Sequence, residues 1–383
     1  MITKYGDDVD YCKYNLKTKE KVCSHHINDC FIKQHITQNG KFEICSYCGK
    51  KVKVIDLKNL LQLIITKIDY LFEDPADSRY LNKDNKYGFD GDVFTFYELW
   101  YDNLLDLHID NDKLSDDIYN YLENSDLYCY KDEFVSEVEI LNSIWGNFKN
   151  TVKHKARYVF YYKRIFSDYT FIEPFEILKK VQNFILELNL FSVLPIETKL
   201  YRCRQHRELE DVTEKKDLSS PPDEKTKTNG RMNPAGISMF YCSQNRKLTI
   251  SEIVNFSDNE KPFYSVGYFK NKKEIRLVDL TKLPKLPSMF DAAKNNNIDN
   301  INFLKGFIKD ISKPIGDNDS IIEYVPTQIV TEYIKFNPEI NVDGIIYPSS
   351  KEIGKNNIVL FYNQEESLKK LDFQTSKIMN YKI

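Results

Sequence analysis

The sequence predicts an α+β protein in three parts, and three observations carry that prediction. Paired cysteines and histidines crowd the N-terminal stretch, helical apolar spacing dominates the middle, and short alternating runs mixed with helical ones fill the remainder. The expected domains are residues 1–52, 53–195 and 196–383. A chain of 383 residues can support two or three cores of its own.

Composition narrows the class. Hydrophobic residues make up 42% and charged residues 29%, which suits a soluble globular chain. Basic and acidic residues number 54 and 57, so no global basic field directs the chain to nucleic acid. The longest apolar candidate, Leu60 to Phe72, is interrupted by Lys67 and Asp69, and no run reaches membrane-spanning length. The start, Met1 to Asp8, lacks the apolar region of a secretory signal. A cytoplasmic protein is expected. Eight cysteines are too sparse for a disulfide scaffold here, and in a reducing compartment paired cysteines are more often metal ligands.

The first part carries Cys23-Ser24-His25-His26 and Cys45-Ser46-Tyr47-Cys48-Gly49. A C-x2-C pair lets two thiolates of one turn face a single ion, and Gly49 permits the tight turn. A second pair at similar spacing completes a tetrahedron. The expected cofactor is a structural zinc on Cys23, His26, Cys45 and Cys48, with His25, Cys30 and His35 as competitors for the fourth place. Four protein ligands leave no open position, so the ion would hold the fold and not react. Cys12, Cys129, Cys203 and Cys242 stand apart and read as small buried residues.

The second part reads as a helical bundle. Leu57, Leu60, Leu61, Ile64, Ile65, Ile68, Leu71 and Phe72 recur at helical spacing. Leu114, Ile118 and Leu122 mark another helix. Glu133 to Phe166 and Glu176 to Phe191 read as two more, the latter closed by Pro195 because the residue before a proline leaves the helical region. Asn82 to Gly88 is a turn-rich connector. Asp90, Asp92, Asp102, Asp106, Asp110 and Asp112 form an acidic, solvated face.

In the third part the alternation shortens. Thr198–Arg204, Gly236–Ser243, Phe263–Lys270, Glu274–Leu280, Val342–Tyr347 and Asn357–Tyr362 read as strands. Leu248–Phe256, Asn300–Ile311 and Thr327–Lys335 read as helices. The order is mixed and not a regular βαβ repeat. No G-x-G-x-x-G turn follows a strand and no G-x-S-x-G elbow is present, which argues against a Rossmann site and a serine hydrolase. The charged run Glu208 to Asn229 reads as an exposed loop, either a lid before Arg231 or a solvated insertion.

Polar residues stand in a fixed order through this part: Arg202 and Arg204 in Leu200-Tyr201-Arg202-Cys203-Arg204, then Gly230-Arg231-Met232-Asn233-Pro234-Ala235-Gly236, Phe240-Tyr241 and Ser251-Glu252-Ile253. Later come Glu323-Tyr324-Val325-Pro326-Thr327-Gln328 and Asp343-Gly344-Ile345-Ile346-Tyr347-Pro348-Ser349-Ser350. From about residue 197 to the C-terminus these blocks make the chain resemble the RES-domain family, named for its arginine, glutamate and serine. The N-terminal half is similar to the HEPN-type helical region that accompanies one branch of that family. Known RES proteins have a fold similar to ADP-ribosyltransferases, and several degrade NAD as toxins of toxin–antitoxin pairs. Family relatives usually carry Cys where His26 stands.

The resemblance implies that NAD is the substrate and that its nicotinamide–ribose bond breaks. Nicotinamide leaves as a neutral base, so the barrier lies in positive charge building on the ribose carbon. Glu252 is the expected carboxylate beside that charge. Arg231 and Arg202 suit the pyrophosphate, with Arg204 as the alternative to Arg202. Gly230 and Gly236 would permit close backbone approach. Tyr241 offers a flat face and a hydroxyl to the nicotinamide. Ser349, or Ser350, would hydrogen-bond a carboxamide or ribose hydroxyl, and Asn233 would shape the turn after Arg231. The acceptor would be inorganic phosphate or water. A protein or nucleic-acid acceptor, and a silent binding protein, are the rival readings. An antitoxin or other regulatory partner and a homo-oligomer are expected, since an unrestrained NAD-degrading enzyme would harm its host. HEPN-type ribonucleases carry an Arg four to six residues from a His. The middle part has only His108 and His154 and no such pair, so a ribonuclease role is disfavoured.

Overall fold

The computed structural model describes residues 11, 14, 16–77, 92–131, 137–159, 175–291, 296–313, 321–374 and 380–382. Cys12, the Asn82–Gly88 connector, Asp90 and the outer parts of the helix expected over Glu133–Phe166 lie outside them. The chain divides into two compact units, Met1–Ile140 with Lys285–Asn300, and Leu141–Pro284 with Ile301–Ile383.

The first unit opens with β1 (Lys21–Cys23), α1 (Cys30–Asn39), β2 (Lys41–Ile44) and β3 (Lys51–Asp56). The three strands form an antiparallel sheet in the order β1-β3-β2. The Asp29 carboxylate accepts from Ile32 N (2.8 Å) and caps α1. Then follows α2 (Leu57–Leu71), whose Leu57, Leu60, Leu61, Ile64, Ile65, Ile68 and Leu71 are buried as the spacing predicts. Strands β4 (Phe72–Glu73) and β5 (Phe94–Thr95), helices α3 (Phe96–Tyr101) and α4 (Asp112–Leu122), and β6 (Leu127–Tyr130) complete it. Leu114, Ile118 and Leu122 of α4 are buried. This region is not purely helical: β4, β6 and β5 pair antiparallel in that order. Their runs are too short for a period to show.

The second unit takes up α5 (Glu137–His154) from Leu141 onward, α6 (Glu176–Glu187), β7 (Phe191–Leu194), β8 (Lys199–His206), β9 (Phe240–Cys242), α7 (Arg246–Ile253), β10 (Phe263–Asn271) and β11 (Ile275–Asp279). It continues with α8 (Asn296–Ser312) from Ile301 onward, α9 (Val325–Phe336), β12 (Gly344–Pro348), β13 (Asn356–Leu360), α10 (Gln364–Lys370), β14 (Leu371–Phe373) and β15 (Asn380–Lys382). One sheet runs β7-β11-β12-β13-β9, with β11 and β12 parallel and its other pairs antiparallel. In the other, β10 pairs with β8 along one edge, and with β15 and β14 along the other.

Alternation along the first of these sheets sorts its side chains onto two faces. Val278, Ile345 and Val359 join a core with Phe148, Ile185, Phe307 and Ile334 from α5, α6, α8 and α9. Leu277, Ile346, Ile358 and Leu360 join Leu200, Phe240 and Phe269 in a second core. The layers are therefore helices, sheet and sheet. Gly344 lies where an added Cβ would collide with Val359 O, so the β12–β13 approach requires glycine.

The division between units differs from the expected boundary at 195/196. From Leu141 onward, α5 and α6 bury their apolar stripes in the core of the second unit, and Phe191–Leu194, assigned to the helical part, is an edge strand of its sheet. Helical spacing identifies a buried stripe but not the partner that covers it. The Glu208–Asn229 segment also differs from a free loop. Val212 and Leu218 are buried, Ser220 Oγ donates to Tyr362 O (2.8 Å), and Ser220 N donates to Ser367 Oγ (3.3 Å). Most of its charges face solvent while Val212, Leu218 and Ser220 anchor it. Among the described residues no helix is long and apolar enough to cross a membrane.

Candidate functional site

The second unit contains a cleft of about 240 Å³ lined by Arg202, Arg231, Tyr241, Glu252, Tyr324, Tyr347 and Asn357 among others. Strand β8 supplies Arg202. Its Nη1 donates to Tyr241 O (3.1 Å), and its guanidinium carbon lies 5.0 Å from the centre of the Phe240 ring. Burial lowers its pKa to about 10, which leaves it charged at neutral pH. Arg204 is exposed instead, donating to Asp217 O (3.0 Å), and does not line the cleft.

Arg231 enters from a tightly braced turn. Gly230 N donates to Asn233 O (2.8 Å), while Gln328 Nε2 on α9 donates to Gly230 O (2.9 Å) and Asn233 O (3.1 Å). Met232 N donates to the Tyr241 hydroxyl (3.0 Å), which donates to Asn233 Oδ1 (2.6 Å). Asn233 Nδ2 donates to Ile237 O (2.6 Å). An added Cβ at Gly230 would collide with Asn233 Oδ1 and Tyr241 Oη and so disturb the hydrogen bonds of the brace. Gly236 sits at φ 86° in an exposed turn away from the cleft lining, where its value is conformational. Arg231 lies 5.6 Å from the Tyr347 ring centre, and its buried Nη1 has no hydrogen-bond partner among the described residues.

Glu252 comes from α7, a helix capped by Asn245, whose side chain accepts from Leu248 N (3.0 Å). Its Oε1 accepts from Ser349 Oγ (2.6 Å) and Asn357 Nδ2 (2.8 Å). Ser349, at the end of β12, also accepts from Lys351 N (3.0 Å) and Glu352 N (3.1 Å), which fixes the turn that carries it. Lys351 Nζ donates to Ser251 O (2.7 Å) near the end of α7. Ser350 is exposed and outside the lining.

The cleft therefore brings together Arg202, Arg231, Tyr241 and Glu252, with Ser349 bound to the glutamate. Arg204, Gly236 and Ser350 fall outside it, and Asn233 braces its wall. Two roles differ from expectation. The Tyr241 hydroxyl is committed to the Arg231 turn, leaving its ring to the cleft, and Ser349 addresses the glutamate. Burial pushes the Tyr241 and Tyr347 phenols above their ordinary value, so both stay neutral. Burial also raises the Cys203 and Cys242 thiols to about 12, which leaves neither a ready nucleophile. Sequence reasoning missed Asn357 and Gln328. Asn357 is the second residue of an apolar strand, where alternation marks strand but not contact. Gln328 stands in a noted block without a chemical reason of its own.

The first unit holds the Cys/His cluster. One ligand atom each from Cys23, His26, Cys45 and Cys48 lies within 4.8 Å of the others. Cys23 and Cys45 are buried, and the buried His26 Nε2 has no partner among the described residues. An orphaned imidazole nitrogen beside three thiols is a donor set that suits zinc. Gly49 N donates to Cys45 O (2.9 Å), and Gly49 has φ 68°. Cys30 is exposed on α1, and His35 pairs with Asn39 Nδ2 (3.2 Å). The Tyr47 hydroxyl donates to Asp117 Oδ2 (2.9 Å), tying this knuckle to α4.

Residues 38–164 match the family model described as HEPN/RES N-terminal domain 1, and residues 199–378 match that of the RES domain. No curated protein matches the chain significantly.

Proposed function

We propose that this chain, which belongs to the RES-domain family in the branch with a HEPN-type N-terminal region, is an NAD-consuming enzyme that splits the nicotinamide–ribose bond. The observation that carries this reading is the Glu252 carboxylate, held through Oε1 by two neutral donors in a cleft that also contains Arg202 and Arg231. Neither arginine has a carboxylate partner among the described residues, so both retain their charge for an anionic ligand. Arg231 and Arg202 would bind the pyrophosphate. The rings of Tyr241 and Tyr347 would bound the nicotinamide side. The two packed sheets, with an arginine on β8 ahead of a glutamate on α7, support an ADP-ribosyltransferase-like fold for this unit.

As nicotinamide departs with the bonding electron pair, the ribose carbon becomes electron-poor. Glu252 would stabilise that charge, and because Ser349 and Asn357 hold one of its oxygens in advance, little reorganisation is needed. Phosphate would capture the sugar to give ADP-ribose 1″-phosphate, and water would give ADP-ribose. The biological role would be that of a cytoplasmic toxin or phage-defence effector, restrained by an antitoxin or regulatory partner. In the first unit the Cys23, His26, Cys45 and Cys48 set would hold a structural zinc. The test is product analysis with purified chain, labelled NAD, and buffers with and without phosphate. Free ADP-ribose or its phosphate ester names the acceptor. Label retained on a macromolecule would favour a transferase instead, and NAD binding without turnover a silent binding protein.

A further inference from the structure

Strand β2 is an edge of the first unit's sheet. Its register with β3 places Lys41 opposite Val54, Phe42 opposite Lys53, Glu43 opposite Val52 and Ile44 opposite Lys51. Beyond the strand, Cys45 N donates to Lys50 O (2.9 Å), continuing the same register. Hydrogen-bonded and non-bonded pairs alternate in an antiparallel ladder. Cys45, Glu43 and Lys41 therefore direct their backbone groups at β3, and Phe42 and Ile44 turn theirs outward. No backbone bond beyond the sheet reaches Phe42 or Ile44 among the described residues. These two residues also have side chains 68% and 65% exposed. An edge strand with free backbone groups and bulky apolar side chains is a template for another strand.

The sequence of the edge suits one particular occupant. Lys41-Phe42-Glu43 is self-complementary when read antiparallel to itself. A two-fold axis at Phe42 sets Phe42 against its copy and Lys41 against Glu43 twice. It also makes the Phe42 pair a hydrogen-bonded one, as its outward backbone groups require. Centring on Glu43 would keep the outward groups in phase but set Glu43 against its own copy, like charges opposite each other, and would lose both Lys41–Glu43 pairs. Centring on Ile44 would lose both charge pairs. Glu43 is already steadied by an ion pair with Lys21, and Lys53, opposite Phe42, is drawn aside to Thr37 O (2.5 Å).

We propose that β2 pairs antiparallel with β2 of a second copy of this chain, joining two three-stranded sheets into one across an isologous interface centred on Phe42. The proposal is independent of the cleft and its substrate.

The test is the mass of the full chain in solution over a concentration series, by light scattering or sedimentation. The parent is expected to reach twice the mass of one chain. Phe42→Asp, Lys41→Glu and Glu43→Lys are each expected to remain at single mass. An equimolar mixture of Lys41→Glu and Glu43→Lys is expected to recover the doubled mass, because each variant then supplies the charge the other lacks. A parent that stays monomeric, a dimer untouched by Phe42→Asp, or a mixture that fails to associate would each overturn the proposal.

Discussion

The Cys/His knuckle gathers two local pairs of residues and the arginine cleft gathers side chains far apart in sequence, and the two close in opposite ways. In the knuckle four donors converge on one point, within 4.8 Å of each other, and leave no position open. In the cleft the charges stay apart around an open volume of about 240 Å³. Arg231 keeps a buried nitrogen unpartnered, and Glu252 takes neutral donors instead of a cation. A converged set holds a fold together, whereas opposite charges held apart form a site that awaits a ligand.

Withholding the proposed zinc should break the comparison on its first side and have the largest effect. Purified chain is expected to carry one zinc, and chelation or Cys45→Ser should unfold the knuckle and the core it joins, an effect of about 10 kcal/mol. Metal stoichiometry and hydrogen exchange over β1 to β3 would read it. Cys30→Ser, on an exposed helical position, should leave both unchanged. Chain that folds normally with no bound metal would contradict the assignment.

On the second side, Arg231→Met keeps the bulk of the side chain but removes its charge. NAD affinity should fall by about 10- to 100-fold, the range for losing a charge-assisted hydrogen-bond pair. Arg204→Met should change it less than about twofold, since an exposed arginine bonded to a carbonyl is not part of the cleft. Calorimetric titration separates the two, and equal losses would mean that the arginines were wrongly ranked.

A smaller effect concerns a charge buried without a ligand to await. Lys67 in α2 is 6% exposed, lies 4.6 Å from the centre of the Tyr70 ring, and has its pKa lowered by burial to about 8. The unfolded chain keeps the ordinary value of 10.5 and so binds more protons across that interval. Stability contributed by this group should therefore rise as pH climbs from about 8 to 10.5. Lys67→Met should stabilise the first unit by about 2 kcal/mol at neutral pH and remove that rise. Hydrogen exchange of α2 across pH would measure it, and a variant no more stable than the parent would count against it.

What the sequence made legible follows from the same physics. The long strand β10 and helix α2 lie within a residue of their expected bounds, because their periods run long enough to be read. Short or charged elements such as β2, β14 and β15 carry no such period. The order of Arg202, Arg231, Tyr241 and Glu252 announced a site, but only packing separates Arg202 from Arg204 and Ser349 from Ser350. Asn357 and Gln328 act through atoms met across the fold, and nothing local in the chain marks such meetings. The covering of α5 and α6 by the second unit was hidden for the same reason.

The most direct test of the central claim compares nicotinamide release from NAD by the parent and by Glu252→Gln. Glutamine keeps the side chain's size and an oxygen to accept from Ser349 and Asn357, and loses only the negative charge. The account predicts rapid release by the parent and a rate about 1,000-fold lower in the variant, with NAD affinity changed only a few-fold. Equal rates in the two proteins, or no release by well-folded parent, would contradict it.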